Sequence, residues 1–224
     1  MGLVLELQQQ ALDKKETVSD LLRKAYVIGR KLGLDGITNW AQQEISGFSC
    51  STDKIPSYRQ GRAELKAYNA FNGGWWPVET DDQFLQEKFS QMTASPFTQS
   101  MGEIEELLNS QSLVFRAPLD AGAQRAMETL NSMIGVVALE HNRLFLVEIR
   151  EAVRNLVVKW TCDLEAEGIL GEGMSFNKEE RERAGAMGDT YHIGNQTIVA
   201  GGMDNSQIQQ GDRNSATTPG NKLI

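Results

Sequence analysis

The chain has 224 residues, of which 40% are hydrophobic and 23% charged, so it can bury the core of a globular domain without disulfides or metal ions. Its formal charge of −8 repels nucleic acid and anionic lipid, and we expect no bulk binding of DNA or RNA. Two cysteines and two histidines have no metal-ligand spacing, which disfavours a zinc framework and fits a reducing compartment. We therefore expect a soluble cytoplasmic protein that needs no metal or cofactor and has no signal peptide or membrane span.

The N-terminal third of the chain predicts three helices. Leu3, Leu7 and Ala11 share one face of a short first helix. The second helix is predicted to run from a Thr17 cap to Gly33, and the third from an Asp35 cap to Gly47. Because the connections are short, we expect these helices to pack as antiparallel neighbours.

Residues 48–81 change character and predict a small β-structure. Small and apolar residues at 63, 65 and 67 alternate with polar residues, as in a half-buried strand. A turn at residues 72–74 follows, and residues 75–77 begin the return strand. The aromatic residues here indicate either a cover over the helices or an exposed contact site.

Later segments add helices and short strands. Helices are predicted at residues 82–92 and 102–109, and another from an Asp120 cap to about residue 131. Strands are predicted at residues 113–115, 133–139 and 144–149, the last two joined by a turn at 140–143. A final helix carries an apolar stripe from Ile149 to Leu164 and ends at Gly168. The prediction for residues 1 to about 185 is a mostly α, α+β domain, with an N-terminal helical bundle packed on a small antiparallel sheet.

Residues 186–224 form a tail rich in Gly, Asn and Gln that cannot bury enough surface to fold alone as a globule. A ten-residue offset superposes two β-arch-like units at about residues 191–214. Their matching positions are Asn195, Ile198 and Gly201 in the first unit and Asn205, Ile208 and Gly211 in the second. The tail is a linker, a β-arch docked on its own domain, or a self-assembly element whose Asn and Gln residues form ladders.

The second unit adds a resemblance of its own. Ile208, Gln209, Gln210 and Gly211, followed by Asn214, resemble the core of amyloid signalling motifs. Gln210 departs from that pattern, in which a hydrophobic residue is expected. A polar group in a dry zipper needs a ladder partner.

One polar patch on the final helix is a candidate binding site. Arg150 and Arg154 lie one turn apart and could jointly hold a carboxylate or a phosphate, with Asn155 beside them. Pairing with Glu148 or Glu151 is the plainer alternative, and we favour it. We assign no catalytic residue: His141 is expected to be structural or solvated, and Cys162 a small buried hydrophobe. The glycine-rich run 168–173 follows a helix, so we expect a C-terminal cap rather than a phosphate-binding loop.

Two stretches of the chain resemble the AbiTii-type domain of bacterial abortive-infection systems. The first comprises residues 18–25, Leu32, Trp40, 44–48 and 56–59, and the second comprises residues 153–155, Trp160, 164–165 and 168–176. Residues 206–211 also resemble segments that follow this domain in similar proteins. The resemblance implies a role in bacterial phage defence and carries over no catalytic residues.

The resulting hypothesis is an anti-phage component that acts through protein contacts, with the tail as an assembly or coupling element. Its expected partners are other proteins or a second copy of itself, bound through the tail, in a homo-oligomer. The alternative is an effector enzyme, a nuclease or nucleotide hydrolase, that uses the Arg150, Arg154 and Asn155 patch. A transcriptional autoregulator is a third possibility, which the acidity and the lack of a basic recognition helix disfavour.

Overall fold

A computed structural model describes residues 2–94, 96–119, 121–130, 135–187, 190–193 and 196–199 of the chain. The described part contains eight α-helices and six β-strands. The helices are α1 (Leu3–Leu12), α2 (Val18–Leu32), α3 (Asp35–Ser46), α4 (Gln83–Thr93), α5 (Met101–Asn109), α6 (Ala121–Leu130), α7 (Arg143–Ala166) and α8 (Lys178–Ala186). The strands are β1 (Glu64–Asn69), β2 (Gly74–Pro77), β3 (Val114–Pro118), β4 (Val137–Asn142), β5 (Thr190–Ile193) and β6 (Gln196–Val199).

The first three helices are confirmed, and their ends show why they form. The Thr17 hydroxyl accepts a hydrogen bond from the Asp20 backbone N–H and caps α2. Gly33 ends the same helix in a left-handed conformation with φ 76°, which glycine adopts without a Cβ clash. The predicted Asp35 cap is wrong: Leu34 holds the cap position of α3, and Asp35 is its first helical residue.

A helical core surrounds α7. The α1 helix packs along α7, while α2 packs against α3 and also contacts α7. The apolar stripe predicted for the last helix is buried in this core from Ile149 through Val153 and Trp160 to Leu164. The close approach of α2 and α3 centres on Gly29, since a Cβ there would lie 2.8 Å from both Ile37 Cγ2 and Thr38 Oγ1.

The sheet has four antiparallel strands in the order β2-β1-β4-β3. The predicted alternation holds in β1, where Leu65 is buried and Glu64 is exposed. Leu65 joins Met127 of α6 and Val137 of β4 in a small second core. The opposite face carries a charged ladder in which Glu140 of β4 pairs with Lys66 and Arg116. The predicted class, a mostly helical α+β domain with a small antiparallel sheet, is confirmed.

One predicted hairpin is wrong. Residues 140–142 belong to strand β4 rather than to a turn, and residues 144–149 lie in α7 rather than in a strand. The Asn142 side chain caps α7 by accepting a hydrogen bond from the Leu144 N–H. A short apolar run fits a strand or a buried helix equally well. In this case Leu146, Ile149 and Val153 continue one helical stripe.

Part of the tail is described. Strands β5 and β6 form an antiparallel hairpin in which Tyr191 pairs with Ile198, and this hairpin lies against α3. The other positions of the predicted repeats lie outside the described residues, namely Asn195, Gly201, Asn205, Ile208, Gln209, Gly211 and Asn214. None of the helices in the described ranges is long and apolar enough to cross a bilayer.

We expect Gly29→Ala to lower the free energy of unfolding by about 1–3 kcal/mol, because the new methyl group overpacks the contact between α2 and α3. Thermal denaturation measures the change. Gly185→Ala is the matched control, since a Cβ at this position in α8 meets no described atom within 4 Å. The control should be neutral or more stable by up to about 1 kcal/mol. Equal stability of the two variants would contradict the close approach.

Candidate functional site

An open groove of about 500 Å³ lies where the α1–α2 connection meets α5 and α7. Its lining is mostly polar and comes from three parts of the chain. The lining residues are Lys14, Lys15, Glu16 and Thr17 of the connection, Glu105 and Asn109 of α5, and Val147, Arg150, Glu151 and Arg154 of α7. The groove therefore contains both arginines that the sequence proposed as a binding patch.

Arg154 forms the base of this groove. Its side chain is 8% exposed, and its guanidinium donates to the carbonyl oxygens of Ala11 at 3.1 Å, Asp13 at 3.0 Å and Glu16 at 2.6 Å. These bonds fix the end of α1 and the connection that follows it. Among the described residues Arg154 forms no ion pair, so its positive charge is met by backbone dipoles alone.

Arg150 lies one turn earlier and is partly exposed. Its guanidinium pairs with Glu151 at 2.8 Å, as in the plainer alternative from the sequence. Asn155 is exposed and does not line the groove. The structure thus brings Arg150 and Arg154 together and leaves Asn155 outside. Their role as a binding site stays a prediction.

Glu105 is a groove residue that sequence reasoning missed. Its carboxylate accepts hydrogen bonds from the Val18 backbone N–H at 2.5 Å and the Ser19 hydroxyl at 2.6 Å. It therefore satisfies free N–H groups at the start of α2, where the helix dipole favours negative charge. No local pattern could reveal this contact, because the residues are 87 positions apart in sequence.

A second polar cluster lies in the interior. The guanidinium of Arg59 is fully buried and contacts both carboxylate oxygens of Glu44, at 3.1 and 2.5 Å. It also donates to the carbonyl oxygens of Phe97 and Gln99. Its charged plane lies 4.7 Å from the centre of the Phe48 ring. Arg59 thereby ties α3 to the segment that enters α5.

Tyr58 extends this cluster. Its hydroxyl donates to Glu44 at 2.7 Å and accepts from the Trp40 indole N–H at 2.8 Å. Burial, together with the adjacent Glu44 carboxylate, raises the pKa of Tyr58 well above its usual value of 10.0. Tyr58 is therefore a neutral hydrogen-bonding residue at physiological pH, which suits a structural role.

The glycine-rich run after α7 is a helix end, as predicted. Gly168 has φ 66°, and the following backbone N–H groups of Leu170 and Gly171 both donate to Glu180 of α8. Burial disfavours the charged form of Glu180, but bonds from Asn177, Gly171 and Leu170 outweigh it and lower its pKa. The N–H groups that a phosphate would need are thus already bound.

His141 and Cys162 have different surroundings. His141 is buried in β4, with its ring 5.1 Å from that of Phe97 and 6.1 Å from that of Phe145. This burial lowers the pKa of His141.

The prediction for Cys162 is wrong: it is exposed on α7, and its Sγ lies 3.3 Å from Nε2 of Gln8. The described residues contain no group of three or more potential metal ligands.

An aromatic patch is exposed at the β1–β2 hairpin, and we define it as Tyr68, Phe71 and Trp76. These side chains are 40%, 91% and 55% exposed. They line a depression of about 280 Å³ together with Ala67, Asn69, Ala70 and Gly135. Of the two predictions for these aromatic residues, the exposed position is the one observed.

Comparison with known families identifies the framework that carries these sites. The AbiTii family model matches residues 2–188. The chain belongs to the AbiTii family. Membership points to abortive infection, a bacterial defence against phage. No curated protein and no solved structure matches the chain.

We expect Glu44→Gln to destabilise the AbiTii domain by about 3 kcal/mol, because it leaves the Arg59 charge buried without a counter-charge. That loss corresponds to a melting temperature lower by about 6–12 °C for a domain of this size. Differential scanning calorimetry measures it. The matched control is Glu182→Gln, which breaks an exposed pair with Lys178 and should change stability by less than about 0.5 kcal/mol. A similar small loss in both variants would contradict a structural role for the buried pair.

Proposed function

We propose that this AbiTii chain acts in abortive infection by binding another protein through its aromatic patch, with the tail as the element that couples binding to assembly. The observation that carries the proposal is the exposure of Phe71 in the turn of the β1–β2 hairpin and of Trp76 on its second strand. The expected partner presents an apolar side chain that fills the depression beside these rings.

The composition of the patch supports a protein partner. Tyr, Trp and Phe are enriched at protein interfaces, and a few of them commonly supply most of the binding energy. The depression of about 280 Å³ is large enough for one anchoring side chain. Exposed aromatic rings also lose little conformational entropy when they are covered, since each has only two side-chain torsions.

The position of the hairpin also supports this function. Strand β1 pairs with both β2 and β4, and Leu65 anchors it in the small second core. Tyr68 and Trp76 thus lie on paired strands, and Phe71 lies in the short turn that joins them. A surface held in this way is pre-organised and costs less entropy on binding.

We expect the double variant Phe71→Ser, Trp76→Ser to protect against phage about tenfold less well than the unchanged chain, or worse, because both anchoring rings are removed. Plaquing efficiency in a bacterial host that expresses the chain measures protection. Thermal stability should change by less than about 1 kcal/mol, since both side chains are exposed.

Leu144→Ser is the matched control for this experiment. Leu144 is also an exposed large hydrophobic residue, but it lies at the start of α7 and away from the depression. The control should protect as well as the unchanged chain. Full protection by the double variant would exclude the patch as the functional contact, whereas equal losses in both variants would indicate a general effect of surface hydrophobicity.

We expect the tail to drive self-association. A chain that ends at Met187 keeps α8 whole, and Met187 still packs against the main core. Light scattering and thioflavin fluorescence should detect large, dye-binding species only for the full chain. Ile208→Asp in the full chain should act like the shortened chain, because a charge in a stacked ladder is repelled by its own copies. The control variant Ser215→Asp adds the same charge just after the repeats, and it should assemble like the unchanged chain.

Other outcomes would assign the tail differently. The same compact species for full and shortened chains would make the tail a linker or a hairpin docked on its own domain, and would overturn the assembly proposal. Assembly that survives Ile208→Asp would move the contact away from the repeats.

The effector-enzyme alternative rests on the groove that contains Arg150 and Arg154. Arg150→Ala tests it, since Arg150 is partly exposed and can be removed without leaving a buried cavity. Loss of protection with intact folding and intact complexes would favour the enzyme. Unchanged protection would favour the aromatic patch.

A further inference from the structure

We propose that the groove between the α1–α2 connection and α7 binds the phosphoryl group of a small molecule. The proposal is independent of the aromatic patch and of the tail. It rests on the charge balance of the groove, on a buried arginine that is already positioned there, and on the size of the space.

The charge of the groove is opposite to that of the chain. The chain as a whole carries −8, yet four cationic side chains line the groove against three carboxylates. Two of those carboxylates already have partners, since Glu105 binds the start of α2 and Glu151 pairs with Arg150. Lys14 and Lys15 form no ion pair among the described residues. With the third carboxylate, Glu16, also counted, the lining keeps one net positive charge, which an anion in the groove would meet.

Arg154 supplies a built part of the site. A buried charge is costly unless it is paired, and the guanidinium of Arg154 is bound only by three carbonyl oxygens in the part of the chain that the structure describes. Because two of those carbonyls, of Asp13 and Glu16, belong to the α1–α2 connection, Arg154 also sets the path of the segment that carries Lys14 and Lys15. The backbone that carries the two lysines is thus fixed beside the groove before any ligand arrives.

The residue types favour a phosphoryl group over a single carboxylate. Lysine ammonium groups act as point charges toward phosphate, and the Arg150 fork can bind two phosphate oxygens at once when it exchanges its bonds to Glu151. A group with two or more negative charges uses both kinds of donor, whereas one carboxylate uses only part of them. The volume of about 500 Å³ lies within the range of small-molecule sites and leaves room for more than the phosphoryl group.

Isothermal titration calorimetry on the full chain tests the proposal with two probes, pyrophosphate and ATP, both without divalent metal. We expect binding that weakens with added salt. The double variant Lys14→Gln, Lys15→Gln and the single variant Arg150→Gln should each weaken binding by about tenfold or more, because each removes a charge-assisted contact. Both variants change exposed or partly exposed side chains, and their melting temperatures should match that of the unchanged chain.

Lys178→Gln is the control, since Lys178 is an exposed lysine on α8, away from the groove. Unchanged affinity in this control, with weakened affinity in the groove variants, supports the site. Tighter binding of ATP than of pyrophosphate would assign a nucleotide to the space, and equal binding would assign the phosphoryl group alone. No binding of either probe at millimolar concentration would overturn the proposal. An equal loss in Lys178→Gln would overturn it as well, because attraction would then be diffuse.

Discussion

The buried ion pair between Arg59 and Glu44 is the constraint on which the arrangement of the helices depends. Three parts of the chain meet at this guanidinium: α3 through Glu44, the short turn at residues 57–59, and the segment before α5 through the carbonyl oxygens of Phe97 and Gln99. Removing a charge of this kind from water costs several kcal/mol, so only a geometry that satisfies most of its donors is stable. The pair therefore selects one path for the irregular segment from residue 47 to residue 63 and one entry into α5.

Hydrogen bonds between a charged side chain and backbone groups also fix the chain at two other places. Arg154 of α7 holds the end of α1 and the connection after it, and Glu180 of α8 holds the loop after α7. In each case a charged side chain on a helix satisfies backbone groups of a segment that has no regular structure. Unpaired backbone groups in such segments would otherwise carry a cost of about 1–3 kcal/mol each when buried. The AbiTii domain thus fixes these connections by charge, whereas its helices pack against each other through apolar side chains.

Local sequence patterns predict those parts of the fold whose cause is local. Thr17 and Gly33 define α2 through capping and a left-handed glycine, and the alternation around Leu65 defines β1. The error at residues 144–149 has the same origin, because a six-residue apolar run has no period that separates a strand from a buried helix turn. The Asn142 cap was the available signal, since Asn favours the position before a helix.

The candidate sites were harder to predict because their contacts are distant in sequence. Arg150 and Arg154 follow from helical spacing, but the buried state of Arg154 depends on carbonyl groups about 140 positions away. Glu105 and Glu44 give no local indication of their partners, since acidic residues are common on solvated faces of this chain. The exposure of Phe71 could not be derived either, because aromatic density fits a covered core and an interface equally well.

The stretches that carry the AbiTii resemblance also contain much of the polar framework. Glu44 and Phe48 lie in the first stretch with Tyr58 and Arg59, and Arg154 and the loop that Glu180 holds lie in the second. In this chain these residues fix connections in the interior. Lys14, Lys15 and the aromatic patch lie outside those stretches. The family match over residues 2–188 includes them, but the contacts that fix the interior do not involve them, so the groove lysines and the aromatic rings are free to contact a ligand or a partner.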